Sequence, residues 1–316
     1  MLNVLVMPQI HKQIPVLNAL TSATGFGLPF IGNPALNDRG LHLLRIKCAD
    51  IALNARHRAK RPANRIAKQI SQDGVAVIED FVPTEYFHLL QDEIRNTIEA
   101  SQRQHPVTGS DTERFGSKQF FKGGFDRYDG QTLNRFLDIE ETSTPQSAKF
   151  LQLAELREAC ESITGTHFNS QKFQIYLTRQ QAVENSQDPQ LQLHRDTFFS
   201  CIKLWYFTED VNLEDGPFRY SPGSHLMTQK RLDWERDRSK KAARTNAGGS
   251  FRISNEELKE LELQPVRTYE VRANTLVMAD VRGFHARGPA LRSGAQRLSI
   301  YGNIRPWPFA PIPYRC

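Results

Sequence analysis

The stretch Leu191–His225, LQLHRDTFFSCIKLWYFTEDVNLEDGPFRYSPGSH, decides the fold. His194 and Asp196 stand two apart in it, and in a strand side chains at i and i+2 point to the same side. Behind them the apolar run Ile202–Phe207 leads to the turn Asp215-Gly216-Pro217, then Phe218-Arg219-Tyr220 and a second turn, Pro222-Gly223-Ser224. This reads as strand, turn, strand, turn.

An imidazole and a carboxylate on one side of a strand offer two ligands to a divalent metal. A neutral nitrogen from elsewhere would complete the two-histidine, one-carboxylate face that suits non-haem Fe(II), with positions left open for substrate and oxygen. Two histidines compete for that place. His225 closes the second turn, and His285 follows the apolar run Thr275–Asp280 through Gly283. Twelve residues past His285, Arg297 opens the alternating run Leu298–Tyr301. Arginine is the side chain best shaped to hold a carboxylate by two parallel hydrogen bonds.

These residues resemble the phytanoyl-CoA dioxygenase-like family of Fe(II)/2-oxoglutarate-dependent oxygenases. The resemblance rests on His194-Arg195-Asp196, on Trp205 before Gly216, and on the segment from Gly216-Pro217-Phe218 to Pro222-Gly223-Ser224-His225. It rests also on His285-Ala286-Arg287-Gly288-Pro289, Arg297 and the opening segment Asp73–Pro83, and so spans roughly 62 to 308. It implies a mainly β (α+β) fold, a double-stranded β-helix or jelly roll of the cupin type with flanking helices and iron at one mouth. Family precedent, together with the downstream arginine, favours His285 over His225, so the implied metal ligands and catalytic residues are His194, Asp196 and His285. Arg297 would pair with the distal carboxylate of 2-oxoglutarate, aided by the Ser299 hydroxyl on the same side of the strand. Gln174 and Tyr176 on an earlier strand are candidates to touch the same co-substrate, and equally fit as ordinary strand residues. Trp205 either packs against the cofactor or belongs to the core. Arg287 and Arg292 lie near His285 as candidates for an acidic substrate and equally fit as solvent-exposed residues, and Arg292 is a second candidate beside Arg297 for the cofactor.

Length and charge set the bounds. A chain of 316 residues can bury a full core. Its net charge of +6, 41 basic against 35 acidic residues, tilts toward anionic partners but is too small to indicate nucleic acid. Cys48, Cys160, Cys201 and Cys316 are widely spaced with no Cys-x-x-Cys pair, which fits reduced thiols in a cytoplasmic protein. Met1–Met7 is apolar, but lacks a basic start and is soon interrupted by polar residues, so it fits neither a signal peptide nor a membrane span.

Residues 1–61 read as an N-terminal extension, a Gly/Pro-rich loop over 25–34 followed by a basic amphipathic helix. Leu41, Leu44, Cys48, Ile51 and Ala55 form its apolar stripe, with Arg45, Lys47, Arg56, Arg58, Lys60 and Arg61 as its cations. The expectation is that the stripe packs on the barrel and the charges are solvated; a peripheral membrane contact through 41–61 is the other reading. Residues 62–316 read as the oxygenase domain. Its helices include one capped by Thr84, with core residues Phe87, Leu90, Ile94 and Ile98, and one opened by Thr144-Pro145, which buries Leu151, Ala154 or Leu156, Ala159 and Ile163. The charged insertion 226–264, with a capping box at Ser254–Glu257, reads as a solvated face or a lid over the iron. Pocket walls are expected from 25–34, 120–128 and this insertion.

The expected activity is hydroxylation of an aliphatic C–H of a small or acyl-type anionic substrate, free or carrier- or lipid-linked, with O2 consumed and succinate and CO2 released. Asp196 argues against halogenation, because halogenases of the family replace that carboxylate. Desaturation, epimerisation, ring formation or action on a membrane lipid share the same cofactor chemistry. The alternative of another class is a non-catalytic jelly roll binding metal or 2-oxoglutarate, against which Arg297 speaks. Oligomeric state is not legible.

Overall fold

The computed structural model describes residues 15–59, 64–107, 116, 118–180 and 188–315. Met1–Met7, Lys60, Arg61 and Cys316 lie outside them, as do the boundary between 61 and 62 and most of the polar loop 180–190. Helices come first: α1 (Pro34–Asp38), α2 (Leu41–Ala59) and α3 (Arg65–Asp73), then strand β1 (Val75–Ile78) and the long α4 (Thr84–Gln104). A meander β2 (Lys118–Phe121), β3 (Gly124–Asp129), β4 (Thr132–Asp138) follows, and helices α5 (Pro145–Phe150) and α6 (Ala154–Thr164) separate it from β5 (Phe173–Gln180). The remainder alternates between two sheets: β6 (His194–Arg195), β7 (Ile202–Phe207), β8 (Phe218–Tyr220), α7 (Gln229–Thr245), β9 (Phe251–Arg252), α8 (Asn255–Glu260), β10 (Arg267–Tyr269), β11 (Thr275–Asp280), β12 (His285–Arg287) and β13 (Ala295–Ile304).

The larger sheet has eight strands in the order β1-β11-β7-β13-β5-β4-β3-β2, and the smaller has five in the order β10-β8-β12-β6-β9. Every pairing between these strands is antiparallel. The chain is thus a jelly-roll sandwich flanked by helices, as the sequence implied.

Strand alternation sets the two faces of the large sheet. Ile202, Leu204 and Tyr206 of β7, Ile175 and Leu177 of β5 and Ile300 of β13 point to one side, where they form a single apolar cluster with Ile66 and Ile70 of α3, Leu90 and Ile94 of α4 and Leu156 and Ile163 of α6. Their neighbours Lys203, Trp205 and Phe207, with Tyr176, Arg297 and Tyr301, line a cavity on the side facing the small sheet. One face is sealed by helices, and the other is left free to carry chemistry.

Local signals account for the helix ends. Asn64 caps α3 by accepting from the Ile66 and Ala67 N–H groups, and Ser254 and Glu257 make the anticipated reciprocal capping box on α8. Two caps differ from expectation. Thr84 is the first helical residue of α4, whose cap position falls on Pro83 with no side-chain bond. Past Thr144 the chain forms two helices, because the Thr144 hydroxyl donates back to the Glu140 carbonyl and the backbone breaks between Phe150 and Ala154.

Helix α2 departs most from its sequence reading. Leu44 is 58% and Ile51 68% exposed, and Cys48 also faces out. The inner face is His42, Arg45, Ile46, Ala49, Ala52 and Arg56, again at helical spacing. Two arginines expected in solvent are buried because main-chain carbonyls satisfy them. Arg45 donates to Ala19, Thr21 and Ala23, and Arg56 to Thr164 and Ala310. Their aliphatic stems supply the packing that the apolar stripe was expected to give.

The insertion is solvated on one side, where Lys230, Asp237, Lys241 and Arg244 are exposed, and buried on the other. Arg231, Glu235 and Ser239 make a buried seam along α7, and no residue of 226–264 lines the cavity. Glu235 accepts from Arg195 at 2.9 and 2.7 Å and from Arg231 at 3.0 Å, and meets His42 Nε2 at 2.9 Å. Burial opposes ionisation of Glu235, but Arg195, His42 and Arg231 outweigh it and hold the carboxyl well below its ordinary range. The loop 25–34 contributes Phe26 and Ile31 to an apolar cluster with Ala242, Ala243 and Phe251, again away from the cavity.

Candidate metal and co-substrate site

His194 opens the short strand β6 and stands opposite His285 of β12 in the antiparallel register. Asp196 follows at once, tied to the barrel by its N–H to the Val281 carbonyl at 2.9 Å. Two far-separated stretches, 194–196 and 281–285, are thereby brought together. The potential ligand atoms of His194, Asp196 and His285 all lie within 4.8 Å of one another. Asp196 Oδ1 is 3.4 Å from His194 Nε2 and 3.6 Å from His285 Nε2.

The second nitrogens settle how the rings face. His194 Nδ1 is 2.7 Å from the Gln192 carbonyl and His285 Nδ1 3.0 Å from the Gly283 carbonyl, so each Nδ1 carries the proton and donates it. Each Nε2 then faces Asp196. His285 Nε2 is buried and has no hydrogen-bond partner. Burial pushes His285 down to about 3, so its ring is neutral. An orphaned buried acceptor beside a carboxylate fits a divalent ion well.

Asp196 is the anionic member. Burial would raise its pKa, but Lys203 and the two imidazoles outweigh that and hold it well below the ordinary carboxylate range. Lys203 Nζ is 2.5 Å from Asp196 Oδ2. No role for this lysine was read from the sequence. The signal was available, since Lys203 alternates with the sealed residues Ile202 and Leu204 and must point inward. Phe136 and Tyr301 were also missed, and both line the cavity.

Arg297 is buried beside this centre. Its Nη1 donates to the Gly216 carbonyl at 2.6 Å, and its Nε is buried without a partner. Burial, with the nearby charge of Arg287, lowers it to about 10. Gly216 is itself required here. Its φ is +69°, and a Cβ would lie 2.5 Å from Gln180 Nε2 and 2.6 Å from the Gly288 carbonyl oxygen. Tyr176 lines the same cavity and donates to Asn134 Oδ1 at 2.5 Å, while Trp205 packs on Phe218 and Tyr301 with centroid separations of 4.9 and 5.8 Å. Ser299 is buried on the Arg297 side of β13, paired across to Tyr176 and Phe207, but is not among the cavity-lining side chains.

Other candidates fall elsewhere. Gln174 lies toward the far end of β5 from the cavity and bonds to Asp138 at 3.4 Å. Its place on the same strand face as Tyr176 carries it away from the site, because two residues of strand span nearly 7 Å. Arg292 is a surface group paired with Asp215 at 2.9 Å and does not compete with Arg297. Arg287 does reach the cavity, held by Asp188 and by Asn134 Oδ1 at 2.9 Å. His225 is buried against Ser71 and Gly74, outside the ligand cluster. His42 is buried among Phe26, Phe198 and Phe251 and partners Glu235. Of the expected pocket walls, Arg127 alone lines the cavity, and Phe120 is 76% exposed on the edge strand.

Fold and donor set together define a class: jelly-roll enzymes that use iron and 2-oxoglutarate to oxidise organic substrates. The phytanoyl-CoA dioxygenase (PhyH) family model matches residues 70–297, and the chain belongs to that family. No curated protein matches the sequence. Among solved structures it is similar to the epimerase SnoN in complex with Fe3+, alpha ketoglutarate and nogalamycin RO, at 15% identity over 77% of this chain and 86% of that one, TM-score 0.45. It is also similar to EctD from S. alaskensis with bound Fe, at 14% identity over 79% and 85%, TM-score 0.44. HygX from Streptomyces hygroscopicus with nickel and 2-oxoglutarate bound matches at 14% identity over 76% and 86%, TM-score 0.42. No helix among the described residues is long and apolar enough to cross a membrane.

Proposed function

We propose that His194, Asp196 and His285 hold Fe(II), that Arg297 anchors the distal carboxylate of 2-oxoglutarate, and that the enzyme hydroxylates an aliphatic C–H of a small or acyl-type anionic substrate. The orphaned Nε2 of His285, facing Asp196 with its other nitrogen committed to a carbonyl, carries the metal assignment. Bound there, iron with 2-oxoglutarate and O2 supplies the two-electron oxidation of a C–H bond, and succinate and CO2 leave. The chain's own residues position and exclude. Gln192 and Gly283 carbonyls fix the two rings, and Lys203 holds the second oxygen of Asp196. Trp205, Phe218 and Tyr301 wall off water. Tyr176 is proposed to touch 2-oxoglutarate, with Ser299 shaping the wall behind Arg297.

An anionic substrate is supported by the lining itself, where Arg127, Lys203, Arg287 and Arg297 stand without an accompanying lining carboxylate among the described residues. Burial and Asp188 keep Arg287 part of a fixed pair, the acid outweighing the burial. Arg127 is paired with Asp129 at 3.0 Å and Lys203 with Asp196, which leaves Arg297 as the lining cation without a carboxylate partner among the described residues. A cytoplasmic setting is supported by Cys48, Cys160 and Cys201, which are free thiols.

The test is succinate release from 2-oxoglutarate under air with added Fe(II), for the wild type and for His194→Ala, Asp196→Ala and Arg297→Ala. Wild-type turnover abolished by the first two substitutions, and rescued in the third only by excess 2-oxoglutarate, is the expected pattern. Turnover that survives loss of His194 and Asp196 would refute the ligand assignment.

A further inference from the structure

The outward face of α2 is the largest feature that the catalytic reading leaves unused. Leu44 and Ile51 protrude from it with Leu20 in the same groove, and Trp307 and Ile312 flank the groove residues Phe309 and Pro311 in the chain, each of the five 49% to 69% exposed. Leu41, Cys48 and Ala52 also line this groove. This arrangement is built in. Arg45 ties residues 19–23 to the inner side of α2 and Arg56 ties Ala310, while Trp307 Nε1 donates to the Leu20 carbonyl at 2.7 Å. Three segments are thus held together with their apolar side chains outward. A patch of this kind marks an interaction surface.

Charge indicates what it meets. Lys47 and Arg58 are exposed on the same side of α2 as Leu44 and Ile51, and Arg305 is exposed two residues before Trp307. Over 15–24, 41–58 and 305–315 the only acidic residue is Asp50, and it is bound to Arg282 at 2.5 Å. The patch therefore combines protruding Leu and Ile, a tryptophan and exposed cations with no free carboxylate, which is the composition of a surface that settles at the headgroup level of an anionic bilayer. A second copy of the chain fits less well, since a two-fold pairing through this one helix would set Lys47 and Arg58 against their own counterparts.

We propose that this face docks the enzyme on an anionic lipid surface. The inner side of α2 contributes Ile46 and Ala49 to one cluster with Phe198 and Phe199, two residues past Asp196, so docking would hold the catalytic barrel directly against the membrane. The proposal does not depend on the metal and co-substrate assignments, because its readout is binding.

The test is sedimentation of the full chain with vesicles of phosphatidylcholine alone and of an equimolar mixture of phosphatidylcholine and phosphatidylglycerol. Binding to the mixed vesicles only, weakened by salt, is expected. The paired substitution Lys47→Gln with Arg58→Gln should lower the partition coefficient about 30-fold, from roughly 1 kcal/mol per cation. Leu44→Ser with Ile51→Ser should lower it by at least about 30-fold through lost apolar burial. All four positions are exposed and far from the cavity residues, so succinate release should be unchanged in both variants. Wild type that stays in the supernatant with both vesicle types would overturn the proposal. So would a concentration-dependent dimer that Leu44→Ser with Ile51→Ser dissociates, which would assign the face to a second copy.

Discussion

The committed Nδ1 of His285 leaves its buried Nε2 without a partner, and Arg297 is left with an unbonded Nε in a buried position. Such groups cost stability unless something completes them. Arg297→Ala removes the charge-assisted pair and should raise the KM for 2-oxoglutarate about 100-fold, with little change in turnover at saturation. Gln174→Ala should leave that KM within about twofold, because the side chain bonds to Asp138 away from the cavity. Steady-state kinetics at varied 2-oxoglutarate checks both. The ligand pair two apart and the arginine twelve past the second histidine were legible because spacing encodes them. Lys203 was not, since charged residues are usually exposed and only the sealed Ile202, Leu204 and Tyr206 reveal which side of the strand is inward.

At the scale of elements, α7 is the strut of the catalytic strand. Arg195 lies between the two ligands His194 and Asp196 and is clamped bidentately by Glu235, which also takes Arg231 and His42. Glu235→Ala leaves two buried guanidiniums uncompensated and should cost about 3–5 kcal/mol, read as a lower urea midpoint, together with weaker metal binding. The same group makes the fold acid-sensitive in a defined sense. Its native pKa is depressed below the unfolded value of about 4.3, so its stabilisation is full above that pH and is lost as pH falls through the interval below it. Urea titrations between about pH 6 and pH 3 should therefore show a steeper loss in the wild type than in Glu235→Gln. The helical character of this insertion and its capping box were readable. That a charge run would be half buried was not, because its partners His42 and Arg195 lie 193 and 40 residues away.

Over the whole molecule, the jelly roll was legible because alternating runs and turn residues repeat along the second half of the chain, whereas the outer face of α2 was read inside out. Periodicity identifies a stripe but not the side it faces, and here arginines bonded to carbonyls of 19–23 and 310 took the inner side. The same architecture makes the metal centre depend on β6 and β12 meeting across the small sheet, with His225 held apart against Ser71 and Gly74. Anaerobic calorimetric titration of Fe(II) into the wild type, His285→Ala and His225→Ala tests this most directly. One ion bound by wild type and by His225→Ala, with binding abolished in His285→Ala, is the predicted result; retention of tight binding in His285→Ala and its loss in His225→Ala would contradict it.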